Sequence, residues 1–366
     1  MIKHLRRLLK PFQYLDFPLL TALALLVGIS FVLIYSAGGA NSDDLVLQFR
    51  NSAIAMFALW GANLLQPKQW AGLTLPGYML LLVVLMAVDA IGMTSHGAQR
   101  WLDLGFIKIQ PSELCKIIVP ATLAWYFDSR QSSLRALDYG IAFCLLLFPC
   151  ALIVIQPDLG TAVLVAASGF FVIFFAGLPM RAILAIGAFA LSMVPFTWYF
   201  LHDYQKQRVL ILLDPTRDPL GAGYHTIQAT IAIGSGGLWG KGWLEGTQAR
   251  LDFLPEAKTD FIFAVLGEEF GFVGIMAILA LVTFIIARGF MLCLRAKTRF
   301  ERLLGAALVG NFFLSATINM AMVIGIFPVV GIPFPVLSYG GSSLVTTLLT
   351  FGIVMRIGIK KPFLYL

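Results

Sequence analysis

The chain has 366 residues, of which 59% are hydrophobic and only 12% are charged, and its formal net charge is +7. Soluble globular proteins average about 45–50% apolar and about 25% charged residues, so this composition excludes an ordinary soluble enzyme, a coiled coil and a disordered chain. The four cysteines lack metal-site spacing and predict neither a disulfide framework nor a zinc site. The composition indicates a polytopic membrane protein.

Ten segments are apolar over a length that can cross a bilayer, for which a helix needs about 20 mostly apolar residues. The predicted spans are 17–37, 51–66, 72–92, 112–127, 139–156, 160–177, 181–200, 260–288, 303–325 and 343–358. The first apolar run is too long for a cleaved signal peptide and lacks a small-residue cleavage site. We therefore expect an all-α polytopic membrane protein with about ten transmembrane helices, forming one integral-membrane domain over residues 1–366.

The distribution of Lys and Arg orients these spans, because short cytoplasmic connections carry the positive excess. The N-terminal segment and the connection 289–302 are short and basic, so both termini are predicted to be cytoplasmic. The largest connection, 201–259 between the seventh and eighth spans, then lies on the extracytoplasmic face with 93–111 and 326–342. These are the long or motif-rich connections, so function is expected on that face. Topology accounts for the positive charge, and no nucleic-acid partner is predicted.

Glu113 and Lys116 form a charged pair near the outer start of the fourth predicted span. Their spacing of three residues places both on one helix face, close enough to pair. Two interpretations stay open: a structural ion pair that orients the helix, or a pair that lines a cavity, where intramembrane charges are usually found.

Two aspartates mark the outer ends of spans. Asp158 follows Gln156-Pro157 and interrupts an apolar stretch from 139 to 177, which is too long for one span and must turn. Asp260 opens the eighth span. Each could be a capping or first-turn acid that faces the helix dipole, or an acid at the mouth of an outer cavity. Glu268 and Glu269 lie two turns deeper, and the sequence names no partner for them.

Basic residues are frequent on the predicted outer face, and the paired N–H groups of Arg suit phosphate. Arg100 precedes the fourth span, and the segment 201–259 contains Lys206, Arg208, Arg217, Lys241, Arg250 and Lys258. A solvated charged face and a pocket for an anionic headgroup both explain this pattern.

Several familiar catalytic motifs are absent. The glycine-rich run 234–242 fails as a phosphate-binding loop, because Ser235 stands where the first Gly should be and Gly242 where Ser or Thr should be. The sequence has no His-Glu-x-x-His motif, no G-x-S-x-G elbow and no Ser-x-x-Lys motif, since Ser112 lies four residues before Lys116. No decisive metal motif occurs, although a divalent cation could share in binding phosphate.

Taken together, the remaining motifs resemble the SEDS family (shape, elongation, division and sporulation). Each motif is weak alone, but they follow the family's order over nearly the whole chain. They are Gly97-Ala98-Gln99-Arg100-Trp101-Leu102, Gln110-Pro111-Ser112-Glu113, Gln156-Pro157-Asp158-Leu159-Gly160-Thr161, Gly234-Ser235-Gly236-Gly237-Leu238, Thr259-Asp260-Phe261-Ile262-Phe263 with Glu268-Glu269, and Ser338-Tyr339-Gly340-Gly341-Ser342-Ser343. The runs 218–225 and 240–243 are closer to the branch that acts in rod elongation than to the division branch. One departure is Lys258, where the family commonly has His.

The resemblance implies a peptidoglycan glycosyltransferase of the bacterial cytoplasmic membrane, with its active site on the extracytoplasmic side. Such an enzyme polymerises lipid II into glycan strands during cell elongation and releases undecaprenyl pyrophosphate. The implied partners are a class B penicillin-binding transpeptidase, other membrane proteins of the elongation machinery, and membrane lipids. The absence of Ser-x-x-Lys agrees with crosslinking being done by that partner.

The resemblance also implies roles for individual residues. Asp260 matches the family's catalytic Asp and is predicted to be the general base, with Asp158 or Glu113 as a neighbouring carboxylate that would raise its pKa. The predicted substrate-binding residues are Arg100, Glu113, Lys116, Asp158, Arg208, Ser338 and Ser342. Two other functions are alternatives to a glycosyltransferase. One is a lipid II flippase, which the spans and outer polar groups would also suit, and the other is a scaffold that only recruits the transpeptidase.

Overall fold

The computed structural model describes residues 14–91, 93–95, 98–103, 108–130, 134–200, 206, 210–212, 214, 222–251, 253–254 and 256–358. Within this part the chain is mainly helical, and each of the ten predicted spans coincides with a helix. The helices are α1 (Phe17–Ala37), α2 (Ser42–Leu64), α3 (Pro67–Ile91), α4 (Pro111–Ser129), α5 (Ala136–Ile155), α6 (Leu159–Phe175), α7 (Met180–Phe200), α8 (Ala222–Ser235), α9 (Thr247–Arg250), α10 (Ile262–Leu294), α11 (Arg299–Val323) and α12 (Gly341–Gly358).

Polar residues set helix ends that the apolar pattern does not mark. The second predicted span starts at residue 51, but α2 already begins at Ser42, because the side chain of Asn41 accepts the N–H of Asp43 at 2.9 Å. A capping box starts α11, in which Thr298 accepts the N–H of Glu301 at 3.1 Å and Glu301 accepts the N–H of Thr298 in return.

Six of the described helices are long and apolar enough to cross a membrane, namely α1, residues 67–88 of α3, α5, α10, α11 and α12. Large apolar side chains are exposed on the outside of the bundle, for example Phe189 and Leu191 of α7. Lipid rather than water is the expected neighbour of such a surface. The structure therefore confirms a helical polytopic architecture, while the count of ten spans and the orientation of the termini stay predictions.

The predicted outer connection 93–111 contains a short antiparallel sheet, which the all-α prediction did not include. Its strands are β1 (Met93–Ser95), β2 (Ala98–Asp103) and β3 (Lys108–Ile109), in the order β1-β2-β3. The register pairs Ser95 with Ala98 and Leu102 with Ile109. Backbone N–H and C=O groups outside helices need partners, and strand pairing supplies them here. The sheet leads directly into α4.

The helices pack around a centre that holds the polar side chains of interest. α12 packs along α2, whereas α4, α6 and α11 pack against one another, and α10 lies beside α11. Phe127, Phe334 and Phe351 are among the largest fully buried side chains of this core. The connection from α11 to α12 enters the core as well, because Phe334 belongs to it.

Candidate active site

Asp158 organises the turn between α5 and α6. Its Oδ1 accepts the N–H of Thr161 at 3.2 Å, so the capping interpretation of this residue is confirmed. Its Oδ2 accepts from Gln110 Nε2 at 2.9 Å and from Ser112 Oγ at 3.4 Å. The buried carboxylate thus fastens the start of α6 to the start of α4.

Arg100 of β2 lies against the same turn. Its Nη1 is 4.0 Å from Asp158 Oδ1, its Nε donates to the carbonyl of Gln156 at 3.1 Å, and its Nη2 donates to the carbonyl of Pro157. The guanidinium is therefore largely engaged by the protein, and two of its donors are satisfied by backbone. A role in gripping substrate stays a prediction for Arg100.

Glu113 and Lys116 form the predicted pair on α4. Lys116 Nζ lies 2.7 Å from Glu113 Oε1, and the two side chains are only 9% and 7% exposed. Glu113 Oε2 is buried without a hydrogen-bond partner among the described residues. Buried carboxylate oxygens are normally satisfied, so an unpartnered one facing a cavity favours a polar occupant there.

A cleft opens beside this pair, with about 490 Å³ of non-atom space when its open mouth is included. Its walls come from α4, α6, α11, α12 and the connection before α12, and its lining residues are Glu113, Lys116, Thr161, Leu164, Leu308, Asn311, Phe312, Ser315, Gly331, Ile332, Pro333, Pro335, Ser343, Thr346, Thr347 and Thr350. The cleft thus joins a charged wall to a hydroxyl-bearing one.

The hydroxyl-bearing wall is formed by α12 and was missed by the sequence analysis. Ser343, Thr346, Thr347 and Thr350 recur at intervals of three and four residues, which places them on one helix face. That spacing was a readable signal, since an apolar span with a polar stripe is typical of a helix that lines a cavity.

Asp260 lies just before α10 and is not among the residues that line this cleft, although it lies beside one of them. The residue at the N-terminal cap of α10 is Phe261, and the first turn of the helix holds no acid, so Asp260 is neither the N-cap residue nor a first-turn acid of this helix. Gly331, which lines the cleft, has a φ of +71° and no side chain, and a Cβ there would lie 3.6 Å from Asp260 Oδ2. The positive φ favours glycine at this position, and the distance of 3.6 Å shows that the backbone of Gly331 passes next to the carboxylate.

Two contacts fasten the segment before Asp260. Lys258 Nζ lies 2.5 Å from Asp44 Oδ2 in the first turn of α2. The carbonyl of Lys258 accepts the N–H of Tyr339 at 2.8 Å. Lys258, the position that departs from the family pattern, is thus a partly buried tether between segments.

The remaining predicted site residues occupy different surroundings. Ser338 is buried, and its Oγ accepts the N–H of Phe334 at 2.8 Å. This oxygen therefore has a hydrogen-bond partner four residues away in the same connection. Ser342 lies at the start of α12 and is partly exposed. Arg208 lies outside the described residues. A substrate contact stays a prediction for all three.

The glycine-rich run 234–242 wraps a break in α10. Gly271 has a φ of +63°, and there the N–H groups and carbonyls of the run bond to the helix: Lys241 N to Glu268 O at 3.0 Å, and Phe272 N to Gly237 O at 2.9 Å. A Cβ on Gly271 would overlap the backbone nitrogen of Gly240. The glycines thus permit close backbone packing around a helix break.

This arrangement also supplies the missing partners of the two glutamates. Glu268 is fully buried, and its Oε1 accepts from Lys241 Nζ at 2.7 Å and from the N–H of Thr247 at 2.8 Å. Glu269 accepts from Ser36 of α1. Both glutamates therefore organise the helix break, and nothing places them in the cleft.

Comparison with known proteins identifies the family. Residues 15–362 match the family model of cell cycle proteins that groups FtsW, RodA and SpoVE. The chain belongs to this family. The resemblance to the SEDS proteins predicted from the motifs is thereby confirmed, and with it the multi-pass membrane architecture.

Members of the family match over almost their full length. The chain is 47% identical over 347 residues to the peptidoglycan glycosyltransferase MrdB of Escherichia coli strain K12, covering 94% of each protein. It is 35% identical over 365 residues to a probable peptidoglycan glycosyltransferase FtsW of Trichlorobacter lovleyi, covering 95% of this chain and 94% of the other.

Solved structures have the same fold. One, reported as the structural coordination of polymerization and crosslinking by a peptidoglycan synthase complex, aligns with a TM-score of 0.80 and 35% identity over 94% of this chain and 97% of that chain. The crystal structure of the rod shape determining protein RodA of Thermus thermophilus aligns with a TM-score of 0.72 and 29% identity, over 94% and 96% of the two chains.

Proposed function

We propose that this protein is a peptidoglycan glycosyltransferase that polymerises lipid II on the outer face of the bacterial cytoplasmic membrane during cell elongation. The observation that carries the proposal is that Asp260 lies beside Gly331, which lines the cleft that also holds the buried pair of Glu113 and Lys116. The full-length relationship to MrdB supports the reaction class and the elongation branch.

The reaction assigns a separate task to each side of the cleft. Asp260 accepts the proton of the acceptor sugar's 4-hydroxyl while that oxygen bonds to the anomeric carbon of the donor. The bond from this carbon to the pyrophosphate oxygen breaks, and its electron pair departs with undecaprenyl pyrophosphate. Negative charge grows on the leaving oxygen, so a nearby ammonium stabilises the transition state more than the ground state.

Lys116 is the cation that the cleft offers for this task. Glu113 fixes its position through a contact of 2.7 Å, and the low exposure of both groups strengthens electrostatic interactions with an occupant. The hydroxyls of α12 face the same space and suit the sugar hydroxyls of the substrate. Asp158 and Arg100 hold the turn behind this wall rather than facing the cleft.

The orientation of the protein follows from its charges. The short basic connection 295–298 follows the C-terminal end of α10, whereas Asp260 precedes the N-terminal end of the same helix. With that connection in the cytoplasm, Asp260 and the cleft mouth face the extracytoplasmic side. The proposed partner is a class B penicillin-binding transpeptidase, which fits the similarity to a chain of a complex that couples polymerization to crosslinking.

The test is a lipid II polymerisation assay on the purified protein in complex with its transpeptidase, whose active-site Ser is mutated so that only glycan strands form. We expect wild type to give a polymer ladder on a gel and Asp260→Ala to give none, with both complexes intact by gel filtration. A ladder from both would move the general base to Glu113, whose Oε2 is unpartnered among the described residues. No ladder from either would reject the enzyme and favour a lipid II flippase, to be measured in vesicles.

A further inference from the structure

Asn319 lies four residues before the end of α11, which is Val323, and is fully buried. Its Nδ2 donates to two backbone carbonyls, that of Asp260 at 2.8 Å and that of Ile332 at 2.8 Å. These carbonyls belong to different segments, one entering α10 and one in the connection from α11 to α12. A single amide group therefore joins three parts of the chain.

The chemistry of the side chain determines which way the amide points. Both acceptors are carbonyl oxygens, and only the nitrogen of an amide can donate to them. Asn319 Oδ1 has no hydrogen-bond partner among the described residues, so the orientation leaves an acceptor unsatisfied in order to satisfy two backbone oxygens. Buried backbone carbonyls outside helices need such partners, because water does not reach them.

Both bonded segments border the carboxylate of Asp260. Ile332 follows Gly331, and a Cβ on that glycine would lie 3.6 Å from Asp260 Oδ2. Gly331 and Ile332 also line the cleft. The amide of Asn319 thus holds the backbone that carries the carboxylate and the backbone that passes beside it at a fixed separation.

We propose that Asn319 is a positioning residue for Asp260, which sets where the carboxylate lies relative to the wall of the cleft. The inference rests on the proposed function, since it assumes that Asp260 acts as the general base. A misplacement of about 1 Å can lower a catalytic rate by about a hundredfold. Loss of the amide therefore slows the chemical step more than it weakens substrate binding.

Two substitutions at Asn319 and one matched control test this proposal. Asn319→Leu keeps the branching of the side chain at Cγ and removes both donated hydrogen bonds. Asn319→Gln keeps the two N–H groups on a longer side chain. The control is Asn63→Leu, because Asn63 is also buried in a long helix and its Oδ1 also has no hydrogen-bond partner among the described residues, but its Nδ2 donates within α2, to the carbonyl of Leu59 at 3.0 Å.

The measurements are kcat and KM for lipid II polymerisation by the intact complex, and thermal unfolding of each variant in the same detergent. We expect Asn319→Leu to lower kcat about ten- to a hundredfold with KM within about twofold of wild type. Asn319→Gln should retain more activity than Asn319→Leu, and Asn63→Leu should keep kcat within about twofold.

The outcomes separate this proposal from the proposed function. An inactive wild-type complex would reject the function itself. An active wild type with equal kcat for Asn319→Leu and Asn63→Leu would overturn the positioning role, as would a loss confined to KM. If Asn319→Leu does not fold, Asn319→Gln provides the test. The positioning role then requires that kcat of Asn319→Gln lie below that of Asn63→Leu while KM is unchanged.

Discussion

Replacing Lys116 by Met removes the ammonium from the buried pair on α4 while keeping a side chain of similar length. The partner, Glu113, lies 2.7 Å away with a side chain only 7% exposed, so its charge is left in a site with little access to water. Breaking one side of a buried ion pair costs about 3–5 kcal/mol. We expect Lys116→Met to lower the free energy of unfolding by that amount.

A double variant separates the structural from the catalytic meaning of the pair. Replacing a whole buried ion pair by apolar residues of similar size is often neutral. Glu113→Leu with Lys116→Met should therefore recover most of the lost stability. If Lys116 stabilises the leaving pyrophosphate, the recovered protein should stay slower than wild type, by about a hundred- to a thousandfold.

The assays are denaturant unfolding in detergent and lipid II polymerisation by the complex with the transpeptidase. Lys68→Met is the control, because Lys68 is exposed near the start of α3 and its loss should leave stability and activity unchanged. Equal stability of Lys116→Met and Lys68→Met would refute the argument from burial. A stable double variant with wild-type activity would show that the pair only orients α4.

Two further predictions concern the helix break in α10 and a histidine of α8. Gly271→Ala places a Cβ on a residue with a φ of +63°, where it would overlap the backbone nitrogen of Gly240. We therefore expect this variant to unfold at a lower temperature than wild type. The control is Gly28→Ala, which has open space around the site and should leave the unfolding temperature unchanged. Burial lowers the pKa of His225, an effect that Glu256 partly opposes. The pKa of His225 in the folded state then lies below the unfolded value of about 6.5. The stability associated with a neutral His225 is therefore present above pH 6.5 and is lost as the pH falls through the folded-state pKa. His225→Gln should flatten the acid side of a plot of unfolding temperature against pH; an unchanged slope would contradict the assignment.

Local patterns predicted ten of the twelve described helices, all but α8 and α9, and one contact within a helix. Apolar runs predicted the positions of ten helices, because hydrophobic length is a property of contiguous residues. The spacing of Glu113 and Lys116 predicted their contact, since residues three apart on a helix are neighbours. The cap formed by Asp158 was one of two interpretations of its turn, and it is confirmed.

Contacts between distant segments were not predictable in the same way. Glu268 is bonded by Lys241 and Thr247, and Lys258 by Asp44, which lies more than 200 residues away in the sequence. The glycine-rich run suggested a phosphate loop that the motif analysis excluded, but its actual role required a view of the helix break that it covers.

The sequence by itself determined that the chain crosses a membrane, which family it resembles and that an aspartate lies at the start of the eighth predicted span, because composition, periodicity and motif order are carried by neighbouring residues. Only the tertiary structure decided which polar groups share one cleft and which hold its walls. Asp260, Gly331 and Asn319 come together through the packing of α10 and α11 and the connection after α11. Long-range packing sets such contacts, and hydrogen bonds between irregular segments leave no periodic signal along the chain.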